Sequence, residues 1–169
     1  MVGSLTVGKK KYAEFDGLAR ETLEEARDLE HRFLDVMQRD TEAFNAVSAV
    51  FAMPKGTDEE KTARSQAMQQ ALQGCTRTPF EMMELSLEAL RLTEGLVDRS
   101  NANAASDLGC AALHLGCAIQ GAWLNVLINL GSIRDVAFAA QYRTRGQILL
   151  DEALPLSRRI YGRILEMVE

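Results

Sequence analysis

Between positions 18 and 51 the residues Leu18, Thr22, Ala26, Leu29, Phe33, Val36, Met37, Phe44, Val47 and Phe51 recur mostly three and four apart. A helix of 3.6 residues per turn puts such positions on one side, whereas a strand would scatter them over both faces. The spacing therefore predicts one long amphipathic helix from about 16 to 53, ending before Met53-Pro54-Lys55-Gly56. Strict two-residue alternation is absent from the rest of the chain as well. Thr57-Asp58-Glu59-Glu60 has the form of a capping box and opens a second helix. Thr78-Pro79-Phe80-Glu81 has the same form, with proline at the first helical position, and is read as the opening of a third. A fourth helix runs from Ala104 to Leu130. Ser132-Ile133-Arg134-Asp135 caps a fifth, with a kink expected at Pro155. The expected fold is all-α, an up-and-down bundle of about five helices.

Composition narrows the classes of function. With 169 residues and 47% hydrophobic content the chain can bury a real core, and a single domain over 1–169 is expected. The net charge of −5, from 24 acidic and 19 basic residues without a long basic stripe, argues against nucleic acid as a partner. Cys75, Cys110 and Cys117 are an odd number without a C-x-x-C pair, so neither a disulfide framework nor a zinc site is indicated and no metal is expected. The N-terminus lacks the pattern of a secretory signal, and every apolar window of membrane-spanning length has polar interruptions. A cytoplasmic protein that neither spans nor binds a membrane is expected.

The fourth helix has an unusual face. Starting from Asp107, the positions Ala111, His114, Ala118, Gly121, Asn125 and Asn129 fall within about 40° of it on a helical wheel. The opposite side carries Leu108, Ala112, Leu115, Ile119, Trp123, Val126 and Leu130, as a core face does. Two readings of the small polar face stand side by side. In one, Ser100 to Ser106 cap the helix, Asp107 complements its N-terminal dipole, and the asparagines satisfy backbone at the far end. In the other, the face receives a ligand or a second helix. Asp107 and Asn125 lie about 27 Å apart along a straight helix, so one chain cannot bring both to one small molecule. Two copies packed antiparallel across a two-fold axis can.

Two further features stand out. Asp40 interrupts the apolar stripe of the first long helix between Val36 and Phe44, where a carboxylate needs either solvent or a partner. Lys9, Lys10 and Lys11 form a compact positive cluster in an acidic chain, a pattern that is often only a solvated surface.

LTVGKKKY at 5–12, DTEAFNAV at 40–47, MPKGTDEEK at 53–61, SNANAASDLG at 100–109 and LNVLINLGSIRD at 124–135, in that order, resemble the cyclodeaminase/cyclohydrolase family of folate enzymes. The family includes the C-terminal domain of formiminotransferase-cyclodeaminase and stand-alone methenyltetrahydrofolate cyclohydrolases. The resemblance implies an all-helical, dimeric subunit that binds a tetrahydrofolate carrying a one-carbon unit. No cofactor is implied beyond that folate. It also implies a Pro-Gly-Gly-Gly-Ser turn and a small-residue helix ahead of the position where this chain starts, so the chain reads as N-terminally truncated relative to the family.

On that resemblance the chain is expected to be a formiminotetrahydrofolate cyclodeaminase, which closes the methenyl ring and releases ammonia. The alternatives are a methenyltetrahydrofolate cyclohydrolase and an inactive scaffold of the same family. Both reactions pass through a tetrahedral carbon between two nitrogens and involve a cationic amidinium, which a carboxylate can stabilise while moving a proton. Asp107 is the first choice for that role, and Asp40 the second, as an electrostatic partner or as the group that orients the pterin. Asn125 and Asn129, with Asn45 and Asn103, suit the polar edges of the substrate, and Lys9, Lys10 and Lys11 suit its glutamate carboxylates. His114 is read as a packed neutral histidine rather than a base.

Overall fold

The structure, a computed structural model, describes residues 1–169 and is helical almost throughout. Five α-helices follow in order: α1 Val2–Thr6, α2 Asp16–Phe51, α3 Asp58–Leu96, α4 Ala105–Leu130 and α5 Val136–Val168. Short 3₁₀ turns at Lys10–Phe15 and Ala102–Ala104 lead into α2 and α4.

Cross-helix pairs give the directions. Arg32 meets Glu88 and Arg39 meets Glu81, so α2 and α3 run antiparallel. Ser157 donates to the Ala112 carbonyl and Trp123 packs over Gly146, so α4 and α5 are antiparallel too. Arg145 pairs with Glu84, and Arg163 with Asp98, so α5 runs parallel to α3. The main core lies where α3, α4 and α5 meet, around Met83, Leu90, Ala112, Ile119, Val126 and Ile160, all essentially inaccessible to water. The long α2 lies against α3 outside this triangle and buries Leu29 and Val36 against Leu85. Two glycines mark the closest helix approaches. A Cβ at Gly146 would come 2.1 Å from the Trp123 ring, and one at Gly116 would come 2.6 Å from the Ser157 hydroxyl. Close packing here offsets the helix propensity that glycine gives up, roughly 1 kcal/mol per residue.

The predicted helix at 16–53 is present as α2, within two residues of its far end. Thr57 and Glu60 form the expected capping box at the start of α3. The predicted break at Thr78-Pro79 is corrected: α3 runs through it without interruption. Proline has no N–H for the carbonyl four residues back, and that carbonyl, on Cys75, accepts instead from the Asn129 amide of α4 at 2.8 Å. The Thr78 hydroxyl goes to Asp40 at 2.6 Å and Glu81 goes to Arg39, so neither is free to cap. Tertiary partners have used each element of the motif. The fifth helix begins at Val136, capped by Asp135, whose side chain accepts from the Phe138 N–H. It remains a single helix through Pro155 to Val168. The short α1 was too brief to show a period.

Candidate functional site

A groove runs along the molecule between α2 and α4, with α3 as its floor. At one end Asp40 and Thr41 of α2, Thr78 and Pro79 of α3, and Gly121 and Asn125 of α4 line a cleft of about 460 Å³. Small residues on α4, Ala118 and Gly121, keep its wall low, and Val36 and Met82 supply an apolar base. Asp40 is exposed, and its Oδ1 accepts the short bond from Thr78. The stripe position thus carries a carboxylate that is both open to the cleft and held in place. Cys75 stands nearby, where burial and then the charge of Asp40 push its thiol above the ordinary range. At neutral pH it stays a thiol and is not a nucleophile.

The other end of the groove is lined by Val2 and Gly3 of α1, Thr22 and Leu23 of α2, Leu96 of α3, and Asp107 and Ala111 of α4, around a second cleft of about 460 Å³. Asp107 is half-buried in the first turn of α4, and no side chain or backbone group of the chain bonds its carboxylate. The stretch around it joins the N-terminal segment to α4. Asn101 accepts from the Asn103 N–H and donates to the Leu5 carbonyl, its own N–H goes to Thr6, and the Ala102 N–H reaches the Tyr12 hydroxyl. Its polar residues therefore tie α1 and the lysine turn to α4 rather than cap α4, whose N-cap, Ala104, has no side-chain bond.

The predicted site residues divide between these ends. Asp40 and Asn125 come together in the first cleft, and Asn129 adjoins it, its amide nitrogen bonded to the carbonyls of Cys75 and Asn125. Asp107, Asn103 and the exposed Lys9, Lys10 and Lys11 lie at the other end, where the Lys11 ammonium stands 5.4 Å from the Tyr12 ring centre. Asn45 is exposed on α2 and lines neither cleft. His114 is exposed, not packed, and its Nδ1 donates to the Cys110 carbonyl at 2.7 Å. Within one chain, then, the two carboxylates are separated along the groove.

The outer side of α4 is unusually apolar for an exposed surface: Leu113, Leu124 and Ile128 are 49%, 67% and 75% exposed, beside Cys110, Cys117 and Gly121. By length and composition this helix could cross a membrane, though Asp107, His114, Asn125 and Asn129 interrupt it and its inner side packs between α3 and α5.

A third cluster was not found by reading the sequence. Lys55, Lys61, Arg64 and Arg134 line a pocket of about 340 Å³ where the turn between α2 and α3 meets the turn between α4 and α5. Two of the stretches quoted above, MPKGTDEEK and LNVLINLGSIRD, end here, but only the fold shows that they meet.

Comparison with known proteins bears on these observations. Over 168 residues the chain is 36% identical to a methenyltetrahydrofolate cyclohydrolase of Methylorubrum extorquens, covering 99% of this chain and 81% of that one. It is 30% identical over 164 residues to a formimidoyltransferase-cyclodeaminase of Sus scrofa, of which it spans 30%. The crystal structure of a formiminotetrahydrofolate cyclodeaminase from Thermotoga maritima superposes with a TM-score of 0.77 at 26% identity, covering 99% of this chain and 77% of that one. The same helical fold and the match of residues 1–147 to the formiminotransferase-cyclodeaminase family establish that the chain belongs to this family of folate one-carbon proteins.

Proposed function

We propose that this chain is a methenyltetrahydrofolate cyclohydrolase, in which water opens the methenyl bridge and leaves a formyl group on one nitrogen. The observation that carries the reading is the 36% identity to the Methylorubrum extorquens cyclohydrolase, sustained over 99% of this chain and 81% of its relative. This reading reverses the preference for a formiminotetrahydrofolate cyclodeaminase drawn from the sequence resemblance; the cyclodeaminase is kept as a second reading, favoured by the Thermotoga maritima structure.

The chemistry asks for a carboxylate near a cationic carbon and for a proton route. Water bonds to the amidinium carbon and loses a proton to a base. The tetrahedral carbon then breaks one C–N bond, the departing nitrogen takes that proton, and the remaining hydroxyl proton is released to solvent as the formyl C=O forms. Asp107, which has no partner in its own chain, is proposed as the base. Asp40, steadied by Thr78, is the fixed charge facing the cation, and Asn125 and the free amide oxygen of Asn129 meet the polar edge of the pterin. The two carboxylates meet if a second copy packs its α4 antiparallel on this one. The exposed Leu124 and Ile128 suit such packing, and its axis would lie near residue 116, midway between Asp107 and Asn125. Lys9, Lys10 and Lys11 of the second copy would then stand near the same cleft.

Absorbance of the methenyl species tests both readings. The purified chain is expected to hasten its loss in water, and Asp107→Asn to slow turnover by roughly 10²- to 10⁴-fold. Formation of the methenyl species from formiminotetrahydrofolate, without accelerated loss, would instead select the cyclodeaminase. Folded protein that does neither would sink both. Mixed Asp40→Asn and Asp107→Asn chains should regain about a quarter of wild-type activity, because half the dimers then hold one intact site. No recovery would exclude a shared site.

A further inference from the structure

We infer that the pocket lined by Lys55, Lys61, Arg64 and Arg134 binds the carboxylates at the glutamyl end of the substrate, in the same chain whose Asp40 cleft takes the pterin. The identity of this ligand rests on the folate reading above; the anion site itself does not.

The pocket gathers four of the 19 basic residues of an acidic chain, and no carboxylate lines it. Its two arginines are positioned but electrostatically unsatisfied. Arg64 Nε donates to the Val50 carbonyl at 3.1 Å, and Arg134 Nη1 donates to the Ser65 hydroxyl at 2.8 Å. The backbone of Arg134 is fixed as well, its N–H donating to the Gln69 side chain at 2.7 Å while Gln69 donates to the Ser132 carbonyl. Seven of the other twelve arginines have carboxylate partners; Arg64 and Arg134 are among those that do not, and both are held instead by neutral oxygens. Lys61 pairs only with Asp58, whose side chain is almost wholly exposed, and Lys55 has no hydrogen-bond partner. Guanidinium groups held by neutral oxygens keep their remaining N–H groups free for an oxyanion, and two such forks suit a dicarboxylate.

Position specifies the source of that anion. Val50 and Phe51, which form one wall, lie about 15 Å along α2 from Asp40, towards the turn between α2 and α3. A folate is extended, with its pterin and its glutamate separated by an aminobenzoyl ring. Phe51, 65% exposed, offers that ring an apolar surface beside the cations. Lys9, Lys10 and Lys11 of the same chain lie at the opposite end of the groove, so they cannot serve a ligand seated beside Asp40.

The test compares methenyltetrahydrofolate with methenyltetrahydropteroate, which lacks the glutamate, in wild type, Arg134→Gln, Lys55→Gln and, as a charge-matched control on the far surface, Arg158→Gln. Calorimetric titration with p-aminobenzoyl-glutamate and with inorganic phosphate runs alongside. The kcat/KM preference for the glutamyl substrate should fall about tenfold in Arg134→Gln and in Lys55→Gln and stay unchanged in Arg158→Gln. Binding of p-aminobenzoyl-glutamate should weaken by the same factor. An unchanged preference in both pocket variants overturns the assignment. So does phosphate binding as tight as that of p-aminobenzoyl-glutamate, which would mark a site for a free anion. If neither substrate is turned over, the cyclohydrolase reading fails, and the titrations still decide whether the pocket holds the glutamyl group.

Discussion

At the scale of single residues, the most informative contact is the one between Asn129 and the carbonyl that Pro79 leaves without a donor. The Asn129 amide nitrogen reaches both Cys75 and Asn125, so the same side chain mends α3 and fixes the end of α4 that borders the Asp40 cleft. Asn129→Ala should destabilise the fold by about 1–3 kcal/mol, the usual effect of orphaning a buried polar group. Pro79→Ala restores an N–H to α3, and in that background the loss should shrink by more than about 0.5 kcal/mol. Urea unfolding of the four proteins measures this, and strict additivity would mean that the amide does not substitute for the missing donor. The sequence alone placed Asn129 on the face of Asp107 and Asn125 by its angle on the wheel. That the amide nitrogen is already engaged could not be read, because its partner is 54 residues away and is exposed only by a proline that looked like a helix start. Asp40 was legible as an anomaly, since a carboxylate in an apolar stripe needs a reason, but Thr78 as that reason required the packing of α2 on α3.

At the scale of elements, α3 organises the bundle. It carries Glu81 and Glu88 towards arginines of α2, and Glu84 and Glu94 towards arginines of α5, while Asp98, in the turn just past its end, pairs with Arg163 of α5. These exposed pairs set register more than they stabilise, each being worth little in water. The long helices were legible because their periods extend over many turns. The segment ahead of α2 was not, because it is held by single polar contacts: the Gly8 N–H and the Arg20 guanidinium both bond Asp16 and hold its carboxyl below the usual carboxylate range. A group whose value is depressed on folding stabilises the folded state above its ordinary value and loses that contribution as pH falls through the depressed one. Below about pH 4, amide exchange in residues 1–15 should therefore quicken before that of the α3–α4–α5 core. Asp16→Asn should show the faster exchange already at neutral pH. Equal protection at both pH values would assign the anchoring of this segment to Asn101 and Tyr12 alone.

At the scale of the whole molecule, a chain made of helices from end to end presents two kinds of surface. One side of the bundle is closed by α5 and its ion pairs. The other is a groove with Asp107 at one end and Asp40 at the other, and a separate cluster of cations lies past the Asp40 end at the turn between α2 and α3. Helix order and helix faces could be read from periodicity, whereas the cation cluster could not, since its members are contributed by segments more than sixty residues apart. Cys110 and Cys117 are exposed on the outer side of α4, two turns apart. If α4 pairs antiparallel with a second copy as proposed, with the axis near residue 116, the two copies of Cys117 would lie about 3 Å apart along the helices and those of Cys110 about 18 Å. The native cysteines are therefore a built-in ruler: a short bis-maleimide should link Cys117 to Cys117 and leave Cys110 singly labelled, and the masses of the linked peptides would locate the axis without altering a residue.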